Sequence, residues 1–261
     1  MNIDINEAFK SPFKNPKELM VPVAFSIAQI LCYIIPIIFI VMSINGIKNL
    51  DQSALYALLV YLLIICGGLF LSFYTSGYAF SYINNIYKGM DAMPLWENNF
   101  SKYFSTGIKY SILNFIYMFI LPSLPYLLVF IIIIPWAVLS PQSAIFTTAI
   151  MFQLCAVLST VLQILGALMF MASSVLFSEN LSFEYAASPK NIFMFMKNNM
   201  AETCILLLIN IVMALILAIA GTLLLCTCLG ILFIPFAMFL IQIITLHLFM
   251  QVYKSAKTKS C

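Results

Sequence analysis

The chain has 261 residues, of which 64% are hydrophobic and 8% are charged, and its formal net charge is +3. A soluble globular protein is about 45–50% apolar and about 25% charged. This composition therefore excludes a protein that folds in water alone, and it predicts a single membrane domain over residues 1–261 with no separate soluble domain.

Six apolar stretches are long enough to cross a bilayer as helices, since a spanning helix needs about 20 mostly apolar residues. They lie at residues 20–44, 54–74, 110–139, 144–177, 200–225 and 229–252. The residues before the first stretch carry mixed charges and no cleavage site follows it, so we expect a retained span and no cleaved signal peptide. Pro122 and Pro125 favour a kink in the third span, and the sequence leaves open whether they break it into two pieces.

The lysines predict the orientation of these spans. All of them except Lys48 lie before the first span, between spans two and three, between spans four and five, or after span six. The positive-inside rule makes this side cytoplasmic. We therefore expect a multi-pass protein of the cell (inner) membrane with both termini in the cytoplasm.

An internal repeat is also visible. Glu7, Glu97 and Glu184 each stand four residues before a serine, at intervals of roughly 90 residues, shortly before a span begins. The fold class predicted from this spacing is an all-α bundle of six spans in three parallel helix-hairpin repeats. The repeats cover residues 5–89, 90–180 and 181–254, and a tail follows at 255–261.

Each repeat is expected to begin with a short interfacial amphipathic helix. Around Trp96, aromatic and polar residues alternate in a helical stripe that suits the headgroup boundary. Ser188 followed by Pro189 is typical of a helix start. Asn84, Asn85 and Gly89 are expected to end the second helix of the first repeat.

The sequence contains the run Gly77-Tyr78-x4-Ile83-x-Asn85-x3-Gly89-x4-Pro94-x-Trp96, which is followed by Phe100, Phe104 and Gly107-x-Lys109. This pattern resembles an uncharacterised prokaryotic membrane family catalogued as domain of unknown function 4013. Leu95 stands where an acidic residue is expected in this family. The resemblance covers nearly the whole chain and implies a bacterial or archaeal integral membrane protein, but it implies no activity.

Six residues are candidate interface or polar-path positions: Trp96, Glu97, Gln29, Asn114, Asn210 and His247. An amide inside a span either bonds across helices, at about 0.6 kcal/mol each, or lines a substrate path. His247 is the one histidine, and it suits an inter-helix hydrogen bond better than a proton relay or ligand role. Glu97 is either a solvated helix-start charge or a contact for a partner.

No motif in the sequence predicts catalysis, a cofactor or a metal. The hydrolase and phosphate-loop templates fail, and Cys226-x-Cys228 has no second pair to complete a zinc site. We therefore expect no enzyme, no cofactor and no nucleic-acid partner, because membrane orientation explains the lysines.

Two functions remain open at this stage. The first is a binding or transport-type module for a lipid or hydrophobic molecule, with a central crevice lined by Gln29, Asn114 and Asn210 on the first helix of each repeat. The second is a structural or assembly subunit whose interfacial helices dock a membrane or cytoplasmic partner. Membrane lipids are expected partners in both, and the sequence leaves the oligomeric state open.

Overall fold

The computed structural model describes residues 3–14, 17, 19–29, 31–32, 53–90, 99–139, 141–225 and 233–259. Every regular element within these ranges is helical. In chain order the elements are α1 (Ile5–Lys10), a 3-10 turn (Ser11–Phe13), α2 (Leu19–Gln29), α3 (Ser53–Tyr87), α4 (Phe100–Phe115), a π-helical segment (Ile116–Ile120), α5 (Leu121–Leu139), α6 (Pro141–Asn180), α7 (Phe183–Ala187), α8 (Pro189–Asn198), α9 (Met200–Leu225) and α10 (Ile234–Lys259).

Five stretches of the described chain are helical, long and apolar enough to cross a membrane. They are Val60–Tyr87, Phe100–Ile132, Thr148–Asn180, Met200–Leu224 and Phe236–Ser255. They correspond to the second to sixth predicted spans, and they confirm a helical protein of the membrane-spanning kind. Of the first predicted span, residues 20–44, the structure describes α2 and residues 31–32, and the rest lies outside the described residues.

The third span, for which the sequence leaves a break open, is not broken at Pro122 and Pro125. α4 passes through the π-helical segment directly into α5, and Pro122 is the second residue of α5. A π turn is wider than an α turn and accommodates a proline ring without ending the helix. Side chains of α6 approach the prolines from the neighbouring helix: Ser159 Oγ donates to the Pro122 carbonyl at 2.7 Å, and Cys155 Sγ to that of Pro125 at 3.4 Å.

The expectation of a separate interfacial helix before the second hairpin is wrong for the residues that the structure describes there. Residues 100–109 belong to α4 and are continuous with the span, while Trp96 and Glu97 lie outside the described residues. Short helices do precede the other two hairpins. Asp4 caps α1 by accepting from the Glu7 amide at 2.8 Å, and Pro189 opens α8 as predicted.

The crossing of α3 and α4 explains two glycines of the family motif. A Cβ at Gly77 would meet the backbone carbonyl of Tyr103, and a Cβ at Gly107 would meet that of Phe73. Small residues let membrane helices approach closely where no hydrophobic force drives them together. The two glycines thus allow α3 and α4 to approach closely where they cross.

The last hairpin shows which helix is central. α9 and α10 each have 26 residues, but 56% of the most apolar window of α10 is buried, against 11% for α9. α10 packs against α3, α6 and α9, whereas α9 packs against α6, α8 and α10. The less apolar helix is therefore the inner one, because its polar side chains find partners or line a cavity inside the bundle.

Candidate functional site

A cavity of about 680 Å³ lies within the bundle, bounded by α2, α3, α4, the π-helical segment, α6, α9 and α10. Ser76, on its wall, precedes the end of α3 at Tyr87 by about 16 Å at 1.5 Å per residue. This depth places the wall well inside the span. Polar side chains of its wall include Ser26, Gln29, Thr75, Ser174, Asn210, Gln242 and Thr245.

The cavity wall combines a large apolar surface with hydroxyl and amide groups. Phe170, Met171 and Phe239 contribute to the apolar part. Among the described residues that line it, none is Asp, Glu, Lys, Arg or His. The described wall therefore offers dispersion contacts and neutral hydrogen bonds, and no charge.

Four hydroxyls of this wall donate their protons to carbonyls of their own helices. Ser26 donates to the Pro22 carbonyl at 2.8 Å, and Thr75 donates to that of Leu71 at 3.1 Å. Two more hydroxyls follow the same pattern, in which Ser174 Oγ donates to the Phe170 carbonyl at 2.7 Å and Thr245 Oγ1 to that of Ile241 at 2.7 Å. Such back-bonding leaves each hydroxyl oxygen available as an acceptor.

Three amide side chains differ from these hydroxyls. Gln29, Asn210 and Gln242 line the cavity, and none of them forms a hydrogen bond with another described residue. A primary amide has two N–H donors and a carbonyl acceptor. The cavity thus contains unused donors and acceptors from α2, α9 and α10.

The sequence-predicted residues are only partly brought together. Gln29 and Asn210 line the cavity, but Asn114 is half-buried on α4 and does not line it. The expectation that the first helix of each repeat encloses the cavity needs correction, because α3, α6 and α10 also form its wall. His247 lies elsewhere: it is 2% exposed and lines a separate cavity of about 300 Å³ beside Glu7 and Gln251.

The second helices of the predicted hairpins, α3, α6 and α10, contact one another in all three pairs. We call the end of the bundle at which they finish the lysine-rich end. Lys88 directly follows α3 at this end, and Lys254, Lys257 and Lys259 lie on the last turns of α10. Among the described residues two carboxylates are buried: Glu179, 9% exposed, at the end of α6, and Glu202, 6% exposed, in the first turn of α9.

Glu179 joins three helix ends. Its Oε2 accepts from the Tyr253 hydroxyl at 2.6 Å, and its Oε1 accepts from the Tyr87 hydroxyl at 3.0 Å. Lys257 Nζ pairs with the same Oε1 at 2.8 Å. Since each lone pair of a buried carboxylate needs a donor, these bonds offset the cost of burying the charge.

The helix ends also cap one another. Asn84 Nδ2, on α3, donates to the Ser178 and Glu179 carbonyls of α6 at 2.8 and 2.7 Å. Lys254 Nζ, on α10, donates to the Ile86 carbonyl of α3 at 3.1 Å. The last carbonyls of a helix lack partners within it, so these side chains satisfy them and fix the three helices relative to one another.

Lys257 lies beyond the span of α10, and its side chain is half exposed. The hydrogen bonds with Glu179 and then Tyr87 raise the pKa of its ammonium group above the usual lysine value. A raised pKa means that the contribution of the pair to stability is fully present below the ordinary lysine pKa and is lost as the pH rises through the folded-state value. We call the cluster of Glu179, Tyr87, Tyr253 and Lys257 the Glu179 latch. The latch is therefore intact at neutral pH.

Sequence reasoning identified the helix end at Gly89 correctly but missed the latch. Gly89 has a φ of +81°, and the Gly89 and Met90 amides donate to the Ile86 and Asn85 carbonyls, as in a glycine-ended helix. Asn84 does not cap its own helix. The available signal for the Glu179 contacts was that all three second helices end in polar and aromatic residues, at 82–88, 177–180 and 253–254.

Comparison with known protein families matches residues 59–228 to the family described as protein of unknown function DUF4013. The matched residues include α3, α4 and α9, and therefore the Gly77–Gly107 crossing. No curated protein and no solved structure matches the chain. The match spans more than half of the sequence, so the chain belongs to the DUF4013 family.

Proposed function

We propose that this protein is a binding or transport-type module that holds a lipid or another hydrophobic molecule in the cavity between α2, α3, α6, α9 and α10. The observation that carries the proposal is a cavity of about 680 Å³ with an apolar wall and a few neutral polar groups. Small-molecule sites commonly measure about 300–1,000 Å³ and share this lining. A void this large inside a span would forfeit many packing contacts if nothing occupied it.

The proposed setting is the cell membrane, with six spans in three parallel hairpin repeats and the lysine-rich end in the cytoplasm. The mutual contact of α3, α6 and α10 supports the repeat, since the second helix of each hairpin then occupies a comparable place. The lysines near that end support the orientation. In this arrangement the cavity lies in the bundle interior, where a membrane molecule would enter between helices.

The proposal predicts that the purified protein retains a membrane molecule, which native mass spectrometry in a gentle detergent would detect. Ala167→Phe introduces a ring at the cavity wall and should displace the molecule. Ala156→Phe is the matched control, because Ala156 is exposed on the same helix and does not line the cavity. Retention by both variants at the wild-type level, or no retained molecule in the wild-type protein, would contradict the proposal.

An assembly role is the alternative, and α8 supplies its support. Phe193 and Met194 are 68% and 45% exposed on this short helix, with Lys190 and Lys197 near its two ends. An exposed apolar face flanked by charge suits a protein partner or the headgroup boundary. The same native spectra separate the two functions: a retained protein subunit without a small molecule would favour assembly.

A further inference from the structure

We infer that the ligand is an uncharged lipid whose polar end both donates and accepts hydrogen bonds, as the free hydroxyl of a diacylglycerol does. The inference rests on the proposed function and specifies the ligand class for the same cavity. Three features of the cavity support it: amides without a described partner, hydroxyls that donate within their own helices, and a described wall without charged side chains.

The first step is the hydrogen-bonding capacity of the amides. Gln29 and Gln242 are half-buried and Asn210 is exposed on the cavity wall, and none of the three has a described partner, so in the membrane they face lipid or a ligand. A polar group left unsatisfied away from water costs about 1–3 kcal/mol. A ligand that offers both a donor and an acceptor would satisfy these amides, whereas a hydrocarbon would leave them unpaired.

The second step concerns the hydroxyls. The hydroxyls of Ser26, Thr75 and Thr245 donate to carbonyls of their own helices, so the lone pairs of their oxygens remain available as acceptors. These three side chains therefore add acceptors to the wall and no free donor. A ligand that only accepts hydrogen bonds would leave those oxygens unused, so the ligand needs an O–H or N–H of its own.

The third step is charge. The described wall contains no ionisable group other than the Tyr110 hydroxyl. The nearest described ion pair, Glu179 with Lys257, lies at the lysine-rich end and is saturated with its own bonds. An ionised phosphate placed in this cavity would lose its hydration without gaining a cation, which is costly in a low-dielectric interior. The cavity therefore favours a neutral polar group over an anionic one.

The experiment compares two lipids with the same dioleoyl chains on the full-length protein, delipidated and held in detergent. Native mass spectrometry would titrate dioleoylglycerol against dioleoylphosphatidylglycerol. We expect dioleoylglycerol to bind at least about tenfold more tightly, equivalent to 1.4 kcal/mol. Equal or tighter binding of the anionic lipid would overturn the inference and leave the proposed function standing. Binding of neither lipid in the cavity would overturn both.

Paired variants test the amides themselves. Replacing both Gln242 and Asn210 with Leu should weaken dioleoylglycerol binding by at least about tenfold and reduce the preference for it. The matched control replaces Gln153 and Gln163 with Leu, since these amides are exposed on α6 away from the cavity. Unchanged binding by the cavity pair would overturn the inference. If that pair fails to fold, Gln242→Leu alone and the wild-type comparison of the two lipids decide the question.

Discussion

The lysine-rich end and the middle of the bundle are built in opposite ways. At the lysine-rich end the side chains of Tyr82, Ile83 and Phe177 are at most 1% exposed, and side chains of neighbouring helices bond to Glu179 and to the helix ends. The middle contains a cavity of about 680 Å³ with unused amides in its wall. The difference indicates that this end holds the helices in place, so that the middle can remain open.

The bundle needs a tightly packed and hydrogen-bonded end because its helices are surrounded by lipid. Apolar side chains gain little by leaving hydrocarbon for another apolar surface, so close packing and hydrogen bonds must hold membrane helices together. The Gly77–Gly107 crossing, next to the cavity wall at Ser76, supplies the close packing, and the Glu179 latch at the lysine-rich end supplies the hydrogen bonds. Substitutions there should affect stability, and substitutions in the cavity should affect binding.

The largest effect is expected at the crossing. Gly107→Ala would place a methyl group on the Phe73 backbone carbonyl, so α3 and α4 would have to separate. We expect a loss of more than about 3 kcal/mol in unfolding free energy, measured as thermal unfolding in detergent. Gly221→Ala is the control, because its Cβ meets nothing within 4 Å. Similar melting temperatures for both variants would show that the crossing is not close.

An intermediate effect is expected at the latch. Glu179→Gln removes the charge that binds Tyr253, Tyr87 and Lys257 while keeping the shape of the side chain. Hydrogen bonds to charged groups contribute about 1.5–3 kcal/mol, and part of this should survive in the amide, so we expect a loss of about 1–2 kcal/mol. Glu184→Gln, on an exposed residue of α7, serves as the control and should leave the melting temperature unchanged.

The smallest effect on stability is expected in the cavity. Ala167→Leu adds apolar volume where space exists, so the unfolding free energy of the delipidated protein should change by less than about 0.5 kcal/mol. Overpacking of a filled core usually costs about 1–3 kcal/mol. A loss in that range would mean that the middle is packed like the lysine-rich end, and the contrast between the two regions would disappear.

The sequence predicted the helical spans because hydropathy reports solvent, and lipid is the solvent for most of these residues. It also predicted the turn at Gly89, where local backbone geometry decides. It did not predict the roles of Glu179 or Asn84, because their partners lie on helices about 75–95 residues away in the chain. It left open whether the third span breaks at Pro122, because a π turn absorbs a proline without ending the helix.

The π-helical segment at Ile116–Ile120 also changes the phase of the span. One extra residue in a turn rotates everything after it by about 100°, the angle of one residue in an α-helix. α4 accordingly directs one face at α3, while α5, on the same continuous axis, packs along α6 through pairs such as Phe130 with Phe152. One uninterrupted helix thus packs against α3 in its first part and against α6 in its second part. The neighbouring helix changes halfway along the span without a loop.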